Sequence, residues 1–291
     1  MKPKTLIACI VFCSWLSQPI QSQSISNSKP ITEEGEYSTP VWSPDGQKIL
    51  FTDHHNDELF VIDLIHENKI TKVKNGQGIG YLANWSTDSK SIIFREKPKD
   101  GLFSDILVKS INLKTKAEKT LNNVHPDNTD LSLQKKSNKN LIVYINLQTL
   151  KLEAKEGING KPWVITKEEG QYYHPIVSPD QKQVVVHEGP NIYLYPIYKK
   201  QERISLGYGL ASSWLPNNNG VITFEDKSID GHTISASDLF YISAKTVSKT
   251  QLTNSNDIIE TWGDVSPDGK RIAFSDEKSG RIFIADLNFK N

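Results

Sequence analysis

Apolar residues in this chain come in short runs bounded by polar ones, and one kind of run recurs. It reads KILFTD (48–53), SIIFRE (91–96), NLIVYIN (140–146), QVVVHE (183–188), VITFED (221–226) and RIAFSD (271–276). These segments are rich in β-branched and aromatic residues, which predicts strands. A polar loop and a further strand pattern follow most of them: ELFVIDL (58–64), DILVKSINL (105–113), NIYLYPI (191–197), DLFYISA (238–244) and RIFIADL (281–287). Shorter, more polar segments come next: KITKV, AEKTL, PWVIT, QERISL and SKTQLT. Helical periodicity is absent after the first two dozen residues.

The strands belong to a repeat. VWSPDGQKILF (41–51) returns as NWSTDSKSIIF (84–94), IVSPDQKQVVV (176–186), SWLPNNNGVITF (213–224) and DVSPDGKRIAF (264–274). A worn copy, DLSLQKKSNKNLIVYI, spans 130–145. Taking Ser43, Ser86, Ser132, Ser178, Leu215 and Ser266 as anchors, the steps are 43, 46, 46, 37 and 51 residues. A period near 45 with strand patterning predicts the four-stranded blades of a β-propeller.

Asp45, Asp88, Asp180 and Asp268 all occupy one position of the turn after the anchor. A turn-forming role is expected for them, with Pro presetting φ and the Asp side chain bonding the following backbone. Trp42, Trp85, Leu131, Val177, Trp214 and Val265 precede the anchors and are expected to pack between blades. RIFIADLNFKN leaves the sixth unit without an outer strand, whereas NSKPIT (27–32) precedes the first anchor as SKTQLT precedes the last. The predicted fold is therefore all-β, a six-bladed propeller with a degenerate third blade, closed by the N-terminal strand.

Lys2 and Lys4 precede an apolar run from Leu6 to Leu16, then SQPIQSQS. This pattern predicts a secretory signal peptide over 1–23, with the propeller spanning 24–291. No later run is long enough to span a bilayer. Both cysteines, Cys9 and Cys13, fall in the leader, so no disulfide is expected after it. LIAC (6–9) matches a lipoprotein box in letters, but its hydrophobic region is too short for efficient processing of Cys9. Without Lys2 and Lys4, 32 basic residues face 34 acidic ones, a balance that argues against nucleic-acid binding. The expectation is an exported monomer in the periplasm or outside the cell.

Candidate chemistry sits where the repeat is broken, just before each anchor. Tyr37, Tyr81, His125, Tyr172, Tyr173, His174, Tyr208 and Trp262 lie there, predicted to ring the channel mouth and hold a peptide segment or a glycan. His125 and His174 are the weak candidates for a divalent metal, lacking a convincing third ligand. His54, His55, His66, His187 and His232 read as solvated or strand-register residues. NGQGIGYL (75–82) resembles a phosphate loop only in letters, and KSIDGHTISASD (227–238) reads as a long insertion on the fifth blade.

PVWSPDGQKILF…ELFVID and DVSPDGKRIAFSDEKSGRIFIADL resemble the propeller repeat of the TolB-like family. The resemblance implies a six-bladed propeller of the cell envelope that binds protein partners, without a cofactor. Only about a dozen residues lie between the leader and the first blade, so the α/β domain that precedes the propeller in TolB is expected to be missing. The repeat is also similar to that of oligogalacturonate lyases, which implies an alternative: a polysaccharide-active enzyme using channel histidines and a divalent metal. The expected function is a binding or scaffolding module, and enzymatic activity is left open.

Overall fold

The structure is a computed structural model that describes residues 24–98, 106–130, 141–199, 202–230 and 233–288. The leader with Cys9 and Cys13, the third anchor Ser132 with Leu131, and His232 lie outside the described residues. No helix occurs among the described residues, and none is long and apolar enough to cross a membrane.

Strand β1 (Ser24–Pro30) precedes blade 1, which comprises β2 (Tyr37–Trp42), β3 (Lys48–Asp53), β4 (Glu58–Asp63) and β5 (Lys69–Asn75). Blade 2 follows with β6 (Asn84–Trp85), β7 (Ser91–Glu96), β8 (Leu107–Asn112) and β9 (Glu118–Thr120). Three strands of blade 3 are described: β10 (Leu141–Asn146), β11 (Lys151–Glu156) and β12 (Trp163–Val164). Blade 4 holds β13 (Tyr172–Val177), β14 (Gln183–Glu188), β15 (Asn191–Pro196) and β16 (Ile204–Tyr208). Blade 5 holds β17 (Leu210–Trp214), β18 (Gly220–Ser228), β19 (Ile234–Ser243) and β20 (Lys249–Gln251). Blade 6 has β21 (Glu260–Val265), β22 (Arg271–Asp276) and β23 (Arg281–Asn288). Each sheet is antiparallel, a meander in blades 1 to 5 and over β21–β23 of blade 6 with β1 added at its outer edge, so the fold is a six-bladed β-propeller.

The turns are built as their residues dictate. Ser43 Oγ donates to Asp45 Oδ1 at 2.6 Å and accepts the Lys48 N–H at 2.9 Å, while Asp45 Oδ1 accepts the Gln47 N–H at 3.0 Å. The same three bonds recur with Ser86–Asp88, Ser178–Asp180 and Ser266–Asp268. The recurring aspartates are thus fixed in separate turns and act as side-chain substitutes for turn backbone. Gly46 and Gly269 supply the positive φ these turns need, at 70° and 73°.

The core lies between blades. Trp42, Ile49, Phe51 and Ile62 of blade 1 pack against Ala273, Ile282 and Ile284 of blade 6. Blades 1 and 2 share Leu50, Leu59, Trp85, Ile92 and Phe94; blades 4 and 5 share Val185, Ile192, Trp214, Val221 and Ile242. Fully burying one such side chain stabilises by about 1.5–3 kcal/mol.

Closure of the ring is covalently indirect. Strand β1 pairs antiparallel with β23, from Ser24↔Asn288 to Pro30↔Phe283, with a bulge between Ser26 and Lys29. Asn27 sits in the bulge and donates to Asp286 Oδ2 at 2.6 Å. Ile31 N–H then donates to the Ile282 carbonyl at 2.8 Å, and Thr32 Oγ1 accepts the Ile282 N–H at 3.0 Å. The outer strand of blade 6 is therefore N-terminal. Deleting residues 24–30 is expected to lower the free energy of unfolding by about 2–4 kcal/mol, counting ~1 kcal/mol net per backbone hydrogen bond. Urea denaturation checks this, and an unchanged midpoint would contradict closure by β1.

Candidate functional site

The innermost strands converge on the ring axis, and there the chain departs from regular pairing. In β2, β13 and β21 the register slips between Ser38 and Val41, Tyr173 and Ile176, and Thr261 and Asp264. The first residue of each bulge has positive φ: Thr39 at 47°, His174 at 50° and Trp262 at 51°. Leu82 of blade 2, at the same distance before its anchor, has φ 59°. Each of these non-glycine residues costs about 1 kcal/mol or more in backbone strain. The strain is repeated at one register, and all four residues face one central cavity.

That cavity measures about 820 Å³ and draws its walls from every blade. Trp42, Trp214 and Trp262 give it an aromatic lining, and Pro44, Pro179, Pro216 and Pro267 bring the turns that follow the inner strands into it. The residue two before each anchor also lines it, as Val41, Asn84, Asp130, Ile176, Ser213 and Asp264. Asp127, Asp130 and Asp264 line the cavity, and no Lys or Arg does so among the described residues.

Of the residues singled out by sequence, three line the cavity: Tyr81, His174 and Trp262. Tyr81 is half exposed, with the Arg95 guanidinium 5.0 Å from its ring centre. Trp262 sits between His174, at 5.8 Å, and Phe224, at 5.1 Å, both edge-on. Tyr37 instead packs edge-on against Phe51 and Phe60 at 5.1 and 5.3 Å. Tyr172 is buried between blades 3 and 4, and burial raises its hydroxyl pKa. Tyr173 and Tyr208 are exposed; Tyr173 stacks on His187 at 5.0 Å and donates to the Gly189 carbonyl at 2.8 Å. His125 lies 5.0 Å from Tyr144 and accepts the Asp127 N–H at 3.2 Å through Nδ1. His125 and His174 thus have separate surroundings, and no group of three or more His, Cys, Asp or Glu among the described residues is placed to hold a metal.

Asp264 is a lining residue that the sequence reading passed over. Its Oδ2 accepts the Trp42 N–H at 2.7 Å, and its carbonyl accepts Trp42 Nε1–H at 3.1 Å, so it also joins blade 6 to blade 1. The signal lay in its column: an acid occupies a register that holds Val41 and Ile176 in other blades. Burial, reinforced by the Asp130 carboxylate, pushes Asp264 up to about 7. Burial also pushes His174 down to about 4, with His187 adding to the shift, so that imidazole is neutral at pH 7.

The Asp264 shift makes a prediction of definite sign. The folded state retains a proton that the unfolded chain releases near 3.8, so this stabilisation is full below that pH and fades as pH rises through about 7. Asp264→Asn is expected to gain on the wild type between pH 5 and pH 8, by on the order of 1–2 kcal/mol. Urea unfolding at the two pH values checks this, and an equal difference at both would contradict it.

No protein-family model matches the chain, and no curated protein matches it. Many solved structures do. The β-propeller domain of Cps50 (Swd1) from Myceliophteria thermophila is 11% identical, with 91% of this chain and 100% of that one covered and a TM-score of 0.58. An oligogalacturonate lyase from Vibrio parahaemolyticus is 12% identical over 91% of this chain and 97% of that one, with a TM-score of 0.53. TolB from Acinetobacter baumannii is 14% identical over 87% of this chain and 54% of that one, with a TM-score of 0.38. The likeness to the first two is one of fold, that of the β-propeller.

Proposed function

We propose that this propeller is an exported binding module of the cell envelope that receives an extended segment of a partner protein in its central cavity. One observation carries the reading: inner-strand bulges in several blades hold strained, non-glycine residues against a single cavity of about 820 Å³. Strain repeated at one register persists only where the surrounding fold pays for it, and such positions cluster at binding sites. Trp262 offers apolar anchoring area and Tyr81 a half-exposed ring, while Trp42 and Trp214 are buried in the inter-blade seams and only border the cavity. Export rests on the leader-like segment 1–23, and the envelope setting on the repeat's resemblance to the TolB-like family.

The lining also bears on the alternative, a lyase acting on a uronate polymer through channel histidines and a divalent metal. Recognition of a uronate carboxylate ordinarily uses Arg, and the described lining carries three aspartates instead. With Asp127 paired to Arg95 at 3.6 Å and Asp264 pushed up to about 7, the lining is weakly acidic and suits a neutral or cationic segment better than an acidic glycan.

Affinity capture from envelope extract, with wild-type and variant propeller immobilised, tests the reading. Trp262→Ala combined with Tyr81→Ala is expected to reduce recovery of the captured protein at least tenfold, the loss of two aromatic anchors. Thermal unfolding verifies that the variant is folded. Recovery undiminished in a folded variant would contradict the central cavity as the site.

A further inference from the structure

The residue after the apolar run of the second strand is a hydroxyl in two blades, Thr52 in blade 1 and Ser275 in blade 6. Ser275 Oγ accepts the Thr39 N–H at 3.1 Å and so joins blade 6 to blade 1. In blade 4 the same register holds His187, whose side chain is fully buried. Its Nε2 accepts the backbone N–H of Ala211 at 2.9 Å, joining β14 to β17 of the next blade. Its Nδ1 lies 3.4 Å from the Tyr173 carbonyl. A ring nitrogen accepts a hydrogen bond only when it carries no proton, so this joint requires neutral His187 with hydrogen on Nδ1.

The joint borders the cavity. His174 follows Tyr173 in β13, its ring 5.7 Å from that of His187 and 5.8 Å from Trp262. We propose that His187 is an acid-sensitive latch: protonation sets two N–H donors against each other at Ala211, opens the seam between blades 4 and 5 at that point, and loosens the His174–Trp262 wall of the cavity, while the apolar cluster and the Trp214–Ile176 bond keep the blades joined. The latch operates whether or not a partner occupies the cavity, so it stands or falls separately from the binding reading.

The surroundings of the ring fit this device. From β13 it meets Tyr173 and His174, and from β17 the uncharged Ala211 amide. Tyr208 of β16 and Asp226 of β18 act on the Tyr173 hydroxyl, beyond the imidazole. Burial disfavours the imidazolium at His187 and at His174, while the Tyr173 and His174 backbone only partly offsets this at His187. For a histidine held neutral, the stabilisation is complete above the ordinary value of 6.5 and is lost as pH falls below it. Opening of the joint therefore becomes easier by roughly tenfold per pH unit below that value for each histidine that protonates on opening.

Hydrogen exchange of the Ala211 amide, followed by NMR from pH 7 to pH 4.5 and corrected for intrinsic exchange, tests the latch. Protection in the wild type is expected to fall at least tenfold, with Ile49 of blade 1 unchanged as a control. His187→Gln keeps an acceptor at Oε1 but cannot be protonated there, and is expected to lose at least tenfold less Ala211 protection than the wild type, any residual loss being that of His174. Constant protection in the wild type, or an equal loss in His187→Gln, would overturn the proposal. Should His187→Gln fail to fold, the pH course of wild-type exchange decides: protection falling about tenfold per pH unit only below the ordinary histidine value supports the latch, and a fall already complete above that value overturns it.

Discussion

In a ring of sheets each blade must fix its distance and angle to the blade before it, and here one hydrogen bond recurs at that joint. The indole Nε1–H of the residue just before the turn donates to the inner strand of the preceding blade. Trp42 donates to the Asp264 carbonyl at 3.1 Å, Trp85 to Val41 at 3.0 Å and Trp214 to Ile176 at 2.9 Å. Each acceptor lies two residues before its own anchor, so the bond sets the same register each time. The indole body meanwhile fills the apolar seam, and joins area burial to one directional contact. Where Val265 replaces tryptophan, Ser212 and Ser213 hydroxyls donate to the Gly263 carbonyl at 2.6 and 3.0 Å.

The other features follow from holding the inner strands this close to the axis. Bulges in β2, β13 and β21 lift one residue from the ladder into positive φ, and the residues so displayed line the cavity. The same backbone that makes the joints carries the site: Asp264 and Trp42 serve both. His187 belongs to this set, being a joint whose acceptor can titrate. Stability and cavity shape are consequently coupled, and a change at one seam reaches the cavity through its wall.

Much of the fold was legible because repetition averages out local ambiguity. A single VSPDG is a turn, but its return near every 45 residues specifies a blade, and the unpaired final unit specifies closure. Strand β11 was not legible: KLEAKE reads as polar surface, yet Leu152, Glu153 and Ala154 are buried. Glu153 is tolerated there because Tyr144, Asn146 and Thr149 donate to its carboxylate. The site was legible in part. Tyr81, His174 and Trp262 stood out by breaking the repeat, whereas the turn prolines kept to it and so read as scaffold, and Asp264 departed from its column inside a segment that reads as blade core. A bulge leaves no trace in composition, so Tyr173 and His174, adjacent in sequence, gave no sign that one faces solvent and the other the cavity.

The central claim is that the cavity on the ring axis receives the partner. Both cysteines precede residue 24, so in a protein that begins at Ser24 a single engineered thiol can be addressed selectively. Ser212→Cys places it in the cavity, and Ile70→Cys places it on the exposed outer strand β5. After reaction of each with a bulky maleimide, partner capture from envelope extract is measured. Plugging the cavity through Ser212→Cys should abolish capture while the Ile70→Cys adduct retains it. Capture by the plugged propeller at the wild-type level would contradict the claim.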